Sequence, residues 1–159
     1  SISRIFFGMN RKPGLSEVLL GKTKLADAVN SCQVEGLSVL TAGGRSSHPS
    51  ELLAGQPMRD LLAEALKTYD RVVIDSAPIL AVSDTLLVAP NVDVVCLVVR
   101  SFMTPRRMVA RAIKAFSEIH IQPTGIVFNC LPSGHGSYYA YYYSGKYYGT
   151  YGSKGVYGS

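Results

Sequence analysis

Residues 93–129 read DVVCLVVRSFMTPRRMVARAIKAFSEIHIQPTGIVFN, and the expected fold follows from them. Asp93–Arg100 is rich in β-branched residues and apolar without alternation. A strand of that kind is covered on both faces, as in a parallel sheet. Thr104 stands where a helix N-cap belongs and Pro105 at the first helical position. Met108, Val109, Ala112, Ile113, Phe116 and Ile119 then recur as one buried helical stripe. Pro123–Asn129 closes the stretch as a second strand, ending on a polar residue.

Working outward, the same alternation continues. Arg71–Asp75 (RVVID) is a brief apolar run ending in an acid and broken by Ser76-Ala77-Pro78. Between it and Asp93, Ser83 or Asp84 can cap a short helix through Ala89. Upstream, Met58, Leu61, Leu62, Ala65, Leu66 and Tyr69 fall on one helix face, with Pro57 in its first turn. Ala42–Pro49 (AGGRSSHP) is a loop by composition, and Leu37–Thr41 a short strand. Pro13-Gly14 marks a turn. Ser16 or Lys22-Thr23 can open the short helices near it. The order β-α-β-α-β-α-β predicts an α/β, doubly wound, mostly parallel sheet.

The ends differ in character. From Tyr138 to Ser159 the chain reads YYAYYYSGKYYGTYGSKGVYGS, with nine of its ten tyrosines. Leu and Ile are absent there, and Gly and Ser separate the rings, so this stretch is expected to be a disordered tail. The boundaries expected are a folded region 1–132 and a tail 133–159. Clustered phenol hydroxyls on a tether are what a tyrosine-modifying enzyme needs as substrate. At the other end, no Met opens the chain, which reads as a fragment or a trimmed form.

Composition sets further bounds. The 159 residues are 47% hydrophobic and 17% charged, enough for one core. No apolar run reaches the roughly 18 residues of a bilayer span, and no signal peptide is visible. Cys32, Cys96 and Cys130 form neither a CxxC pair nor a zinc-spaced cluster, and read as reduced thiols. The net charge is +5, partly because no acid follows Glu118, and Arg106, Arg107, Arg111 and Lys114 form the densest basic patch. That cluster is read as a solvated helix face or a contact for an anionic partner or membrane surface.

Asp75 is the main chemical candidate. It ends an apolar strand, where open α/β sheets place ligands, and has the form of a Walker B acid that supports Mg²⁺ on a nucleotide phosphate. Capping or turn formation is the competing role. Asp84 is read as an N-cap or a second metal-associated acid. Asn129 ends another strand, with an amide suited to an adenine edge or to a turn. His48, His120 and His135 build no hydrolase site, and no GxSxG elbow is present. GxxxxGK[ST], the loop that cradles phosphates, is absent from the 159 residues. It is expected to precede Ser1 together with the first strand.

The combination PGLSEVLLGK (13–22), LSVLTAGGRSSHPSELLAG (37–55), YDRVVIDSAPILAVSDTLLVA (69–89), GIVFN (125–129) and the tyrosine cluster resembles the C-terminal part of bacterial protein-tyrosine kinases of capsule and exopolysaccharide synthesis. The resemblance runs from about Phe6 to Ser159. It implies a P-loop NTPase-like domain using ATP and Mg²⁺, with Asp75 as the catalytic, metal-site aspartate and Asn129 near adenine. It makes Tyr138, Tyr139, Tyr141, Tyr142, Tyr143, Tyr147, Tyr148, Tyr151 and Tyr157 the autophosphorylation cluster. The implied partners are neighbouring subunits of a homo-oligomeric ring, a membrane co-polymerase region or activator protein, and a tyrosine phosphatase, with no nucleic acid. The implied location is the cytoplasmic face of the plasma membrane. Departures are the missing phosphate loop, the missing strand ending in DxD, and Ala77 in place of a more common Pro. The isolated chain is therefore expected to be inactive. Two other readings are a partition or division-site ATPase and a catalytically dead scaffold or phospho-acceptor.

Overall fold

The computed structural model describes residues 12–131. The nine clustered tyrosines and the proposed tail boundary lie outside the described residues. Two short helices, α1 (Leu15–Leu19) and α2 (Leu25–Ala28), lead into strand β1 (Val29–Ser31). β1 pairs antiparallel with β2 (Ser38–Leu40), Val29 opposite Leu40. Helices α3 (Pro49–Ala54) and α4 (Gln56–Ala65) follow, separated by Gly55. Each carries a proline in its first turn, where the missing N–H costs no helical bond. A short helix α5 (Asp84–Val88) runs into one 3₁₀ turn at Ala89–Asn91. Strand β3 (Cys96–Arg100), helix α6 (Arg106–Glu118) and strand β4 (Gly125–Asn129) complete the described chain.

β3 and β4 pair in parallel with Cys96 opposite Gly125 and Arg100 opposite Asn129, so both strands end at the same level. The strand–helix–strand reading of residues 93–129 therefore holds. The helix starts one residue later than its proline signal implied. Pro105 is extended (φ −62°, ψ 141°) and serves as the N-cap, leaving Thr104 outside. The ring fixes φ but leaves ψ free, so either position suits it.

Among the described residues the doubly wound sheet is represented by a two-stranded antiparallel sheet and a two-stranded parallel sheet. Two local expectations need correction. Residues 71–75 form no strand. A strand exists only through hydrogen bonds to a neighbour, and no described segment pairs with this one. Nor is β3 covered on both faces. Val99 is buried, but Val98 is 61% exposed, and every residue of β4 is exposed.

The main core joins Leu19 of α1, Met58, Leu61 and Leu62 of α4, and Val88 of α5. Leu52 and Leu53 of α3, Leu40 of β2, and Ile74 pack against it. The helical stripe read from the sequence is buried at Met58, Leu61, Leu62 and Ala65. It fails at Leu66, 58% exposed, because α4 ends at Ala65 and the face is no longer continued.

Residues 14–17 and 41–44 dock as one unit. Gly14, the N-cap of α1, has no side chain to offer, so loop carbonyls take the orphan amides. Leu15 N–H donates to Thr41 O at 2.7 Å and Ser16 N–H to Ala42 O at 3.1 Å. The Ser16 hydroxyl donates to the carbonyls of Ala42 and Gly44. Glu17, three residues after the cap, accepts from Gly14 N–H at 2.9 Å and from Gly44 N–H at 3.1 Å. A Cβ on Gly14 would lie 2.5 Å from Thr41 O and from Gly43 N, so close backbone approach requires glycine there. Gly43 has φ +81°, and a Cβ on it would strike the Glu17 carboxylate.

Desolvation opposes ionisation of Glu17, but the Gly14 and Gly44 amides and the Lys12 ammonium outweigh it and hold the carboxyl below its usual range of 4.5. A carboxyl depressed by folding stabilises the fold above its unfolded pKa. That contribution fades as pH falls through the folded value. Glu17→Gln is therefore expected to lower the melting temperature at neutral pH and to flatten the loss of stability below about pH 4.5. Melting curves followed by circular dichroism between pH 3 and 7 check this. Parallel acid limbs in the two proteins would remove Glu17 as the latch.

Candidate nucleotide and phosphoryl-transfer site

Asp75 closes segment 71–75, which is held in place from both sides. On one side Ile74 is half-buried against the main core, while Val73 is 92% exposed. On the other side the exit is tied to α5. The hydroxyls of Ser76 and Thr85 lie 2.9 Å apart, and Thr85 also donates to Ala77 O at 2.8 Å. The residue after Asp75 thus meets the residue after Asp84. Asp75 itself is exposed, and among the described residues no cation or hydrogen-bond donor occupies its carboxylate.

Asp84 is the first residue of α5, and Ser83 is the N-cap, without a side-chain cap bond. Asp84 is therefore not the cap residue. No group of three or more His, Cys, Asp or Glu side chains capable of holding a metal exists among the described residues. A Mg²⁺ ion on a nucleotide commonly takes one or two carboxylates, waters and phosphate oxygens rather than an all-protein cage. A single unpaired carboxylate fixed between two anchors fits that donor set.

Asn129 sits at the end of β4, beside Arg100 in register. Its side-chain oxygen accepts from Cys130 N–H at 2.8 Å, and its carbonyl accepts from Ser101 N–H at 2.8 Å. Cys130 has φ 56°, so the chain turns sharply there. The turn role read from the sequence is present. The side-chain amide N–H groups remain as donors, which an adenine ring nitrogen could accept.

His48 bonds through Nδ1 with Ser47 Oγ in the 42–48 loop. The docking of residues 14–17 onto 41–44 was not foreseen. Its signal was present in the sequence as glycines at 14, 43 and 44 around Ser16 and Glu17.

Comparison with known proteins gives the class first. The chain superposes on the VpsO kinase domain with a TM-score of 0.76 at 34% identity, covering 83% of this chain and 65% of that one. The kinase domain of the Escherichia coli tyrosine kinase ETK matches with a TM-score of 0.74 at 30% identity, covering 86% and 55%. The fold is thus that of a P-loop NTPase-like kinase domain. The tyrosine-protein kinase YwqD of Bacillus subtilis is 34% identical over 136 residues, 86% of this chain and 57% of the relative. Wzc of Salmonella typhi is 32% identical over 124 residues, 78% and 17%. The chain's curated homologues are thus bacterial tyrosine-protein kinases, and its structural neighbours are kinase domains. The chain spans less than two thirds of the length of the curated relatives it matches. No protein-family model matches it.

Proposed function

We propose that the intact protein is an ATP-dependent protein-tyrosine autokinase regulating capsular or exopolysaccharide polymerisation and export. The observation that carries this is Asp75, a carboxylate unpaired among the described residues and held between the core and α5 in a chain homologous to tyrosine-protein kinases. A relative from Klebsiella pneumoniae, described as a tyrosine-protein kinase in the cps region, supports the polysaccharide assignment. In this reading residues 1–132 are part of the kinase domain and 133–159 carry the acceptors, Tyr138 through Tyr157.

Asp75 would hold the Mg²⁺ of the nucleotide, and that ion would supply neutralisation of charge on the transferring phosphate. Asn129 would donate its side-chain amide to adenine. A tail phenol oxygen attacks the γ-phosphorus of ATP. The new O–P bond forms as the bond to the β-phosphate oxygen breaks, ADP leaves, and the phenolic proton is released. The 159 residues hold no GxxxxGK[ST], the loop that cradles the phosphates in this kind of transfer. Catalysis draws on that loop in the intact protein and on neighbouring subunits of a ring, with a membrane co-polymerase region or activator at the cytoplasmic face of the membrane. A tyrosine phosphatase reverses the modification.

The test is incubation of the intact protein with Mg·ATP and mapping of phosphotyrosine by mass spectrometry. Phosphate is expected on residues 138–157 and is expected to vanish when the nine tyrosines are replaced by Phe. ATP hydrolysis without phosphotyrosine would instead make the protein a nucleotide-dependent switch.

A further inference from the structure

The exposed face of α6 is a cationic stripe without a partner among the described residues. Arg107, Arg111 and Lys114 are spaced i, i+4 and i+7, which stacks them on one side of the helix. All three are exposed, while Ala112 and Phe116 on the opposite side are 4% and 1% exposed. Among the described residues no acid or hydrogen-bond acceptor engages them. Glu118, the last acid in the sequence, lies at the far end of the stripe and forms no ion pair with Lys114. Arg106 and Arg100 add positive charge near its start. Phe102, at φ 58° and 78% exposed, and Met103, 67% exposed, stand in the turn before the helix. An aromatic residue with positive φ is uncommon, and here it is presented to solvent.

The last described residues of the chain lie near the start of this face. β4 ends at Asn129, opposite Arg100, and Ser101 N–H donates to Asn129 O. The chain therefore leaves the sheet beside the turn that opens α6. Tyr138 follows nine residues later, a reach of roughly 30 Å when extended. The helix is only about 20 Å long. Residues 138–159 contain no acid, and Lys146 and Lys154 make them cationic. Each tyrosine phosphate adds about −1.5 to −2 charges, so two reverse the sign of the segment.

We propose that the Arg107–Arg111–Lys114 face of α6 is the docking site for the phosphorylated tyrosine-rich segment of the same chain. Unphosphorylated, the segment and the face repel. Phosphorylated, it binds through charge-assisted hydrogen bonds, Arg pairing bidentately with phosphate. Tethering raises the effective concentration to the millimolar range, so weak contacts suffice. Tyrosine rings can stack on the guanidinium planes beside Phe102. The inference rests on the reading that these tyrosines are phosphorylated, but its test does not use the chain's own kinase activity.

The full 159-residue chain is assembled by ligation with phosphotyrosine at positions 147 and 148, and its dephosphorylation by a broad-specificity tyrosine phosphatase is timed. In the triple variant Arg107→Gln, Arg111→Gln, Lys114→Gln the rate is expected to rise about fivefold or more, and 0.5 M salt is expected to raise the wild-type rate similarly. A charge-matched control, Lys22→Gln, Lys24→Gln, Lys67→Gln, is expected to keep the wild-type rate. Far-UV circular dichroism confirms that each variant is folded. Equal rates in the wild type and the α6 variant would overturn the proposal. Sedimentation with phosphatidylserine–phosphatidylcholine vesicles supplies a second arm. If the unphosphorylated chain binds vesicles through the same three residues and the phosphotyrosines show no protection, the face is a lipid contact and the proposal fails. Protection without any autophosphorylation of the intact protein would uphold the docking site and sink the autokinase reading alone.

Discussion

Asp75→Asn in the intact protein is expected to cut the phosphotyrosine formed with Mg·ATP by about a hundredfold or more. The substitution keeps the shape of the side chain and removes its charge. Asp75 is exposed and makes no hydrogen bond or ion pair among the described residues, so stability is expected to change by less than about 0.5 kcal/mol. Loss of activity with an unchanged melting curve would then report on the site rather than on folding. Asp70→Asn, exposed one residue before the same segment, is the matched control and is expected to keep full activity. Tail phosphotyrosine measured by mass spectrometry decides the matter. If Asp75→Asn and Asp70→Asn behave alike, Asp75 is not the metal-site acid.

Phe116→Ala is expected to destabilise the fold by about 3–5 kcal/mol. Phe116 is 1% exposed and is the largest fully buried side chain alongside Met58. Domain stabilities are about 5–15 kcal/mol, so a loss of this size takes a large share of the total. A fall in melting temperature of roughly 10 °C or more follows. Phe128 lies in the same strand–helix–strand unit but is 59% exposed. Phe128→Ala is expected to cost less than about 1 kcal/mol. Thermal melts of the two variants side by side separate burial from mere hydrophobicity. Similar shifts would mean that Phe128 is covered in solution or that α6 does not pack through Phe116.

Elements with strong local signals were legible. Pro57 and the i, i+3, i+4 spacing of Met58, Leu61, Leu62 and Ala65 located α4, because a helix face is set by spacing within one segment. β3 and β4 were visible as β-branched runs, and their parallel pairing followed from the helix between them. Asp75 was singled out by its position after RVVI. Segment 71–75 shows the limit. Its composition favours a strand, yet pairing needs a neighbour, and composition carries no information about where a neighbour stands. The same limit hid the contact between residues 14–17 and 41–44. Its bonds join segments more than twenty residues apart, and each piece alone reads as a turn or a loop.

What the sequence determined by itself was local: which segments coil or extend, where cations and tyrosines cluster, and which acid follows an apolar run. Those properties arise from spacing, propensity and charge within a few residues. Tertiary structure alone decided that Ile74 and Thr85 fix Asp75 from two sides, that Glu17 latches α1 to the 41–44 loop, and that β4 ends beside the cationic face of α6. Each of these is a juxtaposition of segments distant in the chain. Long-range contacts are set by how apolar faces bury together, and only the folded chain brings those faces into one place.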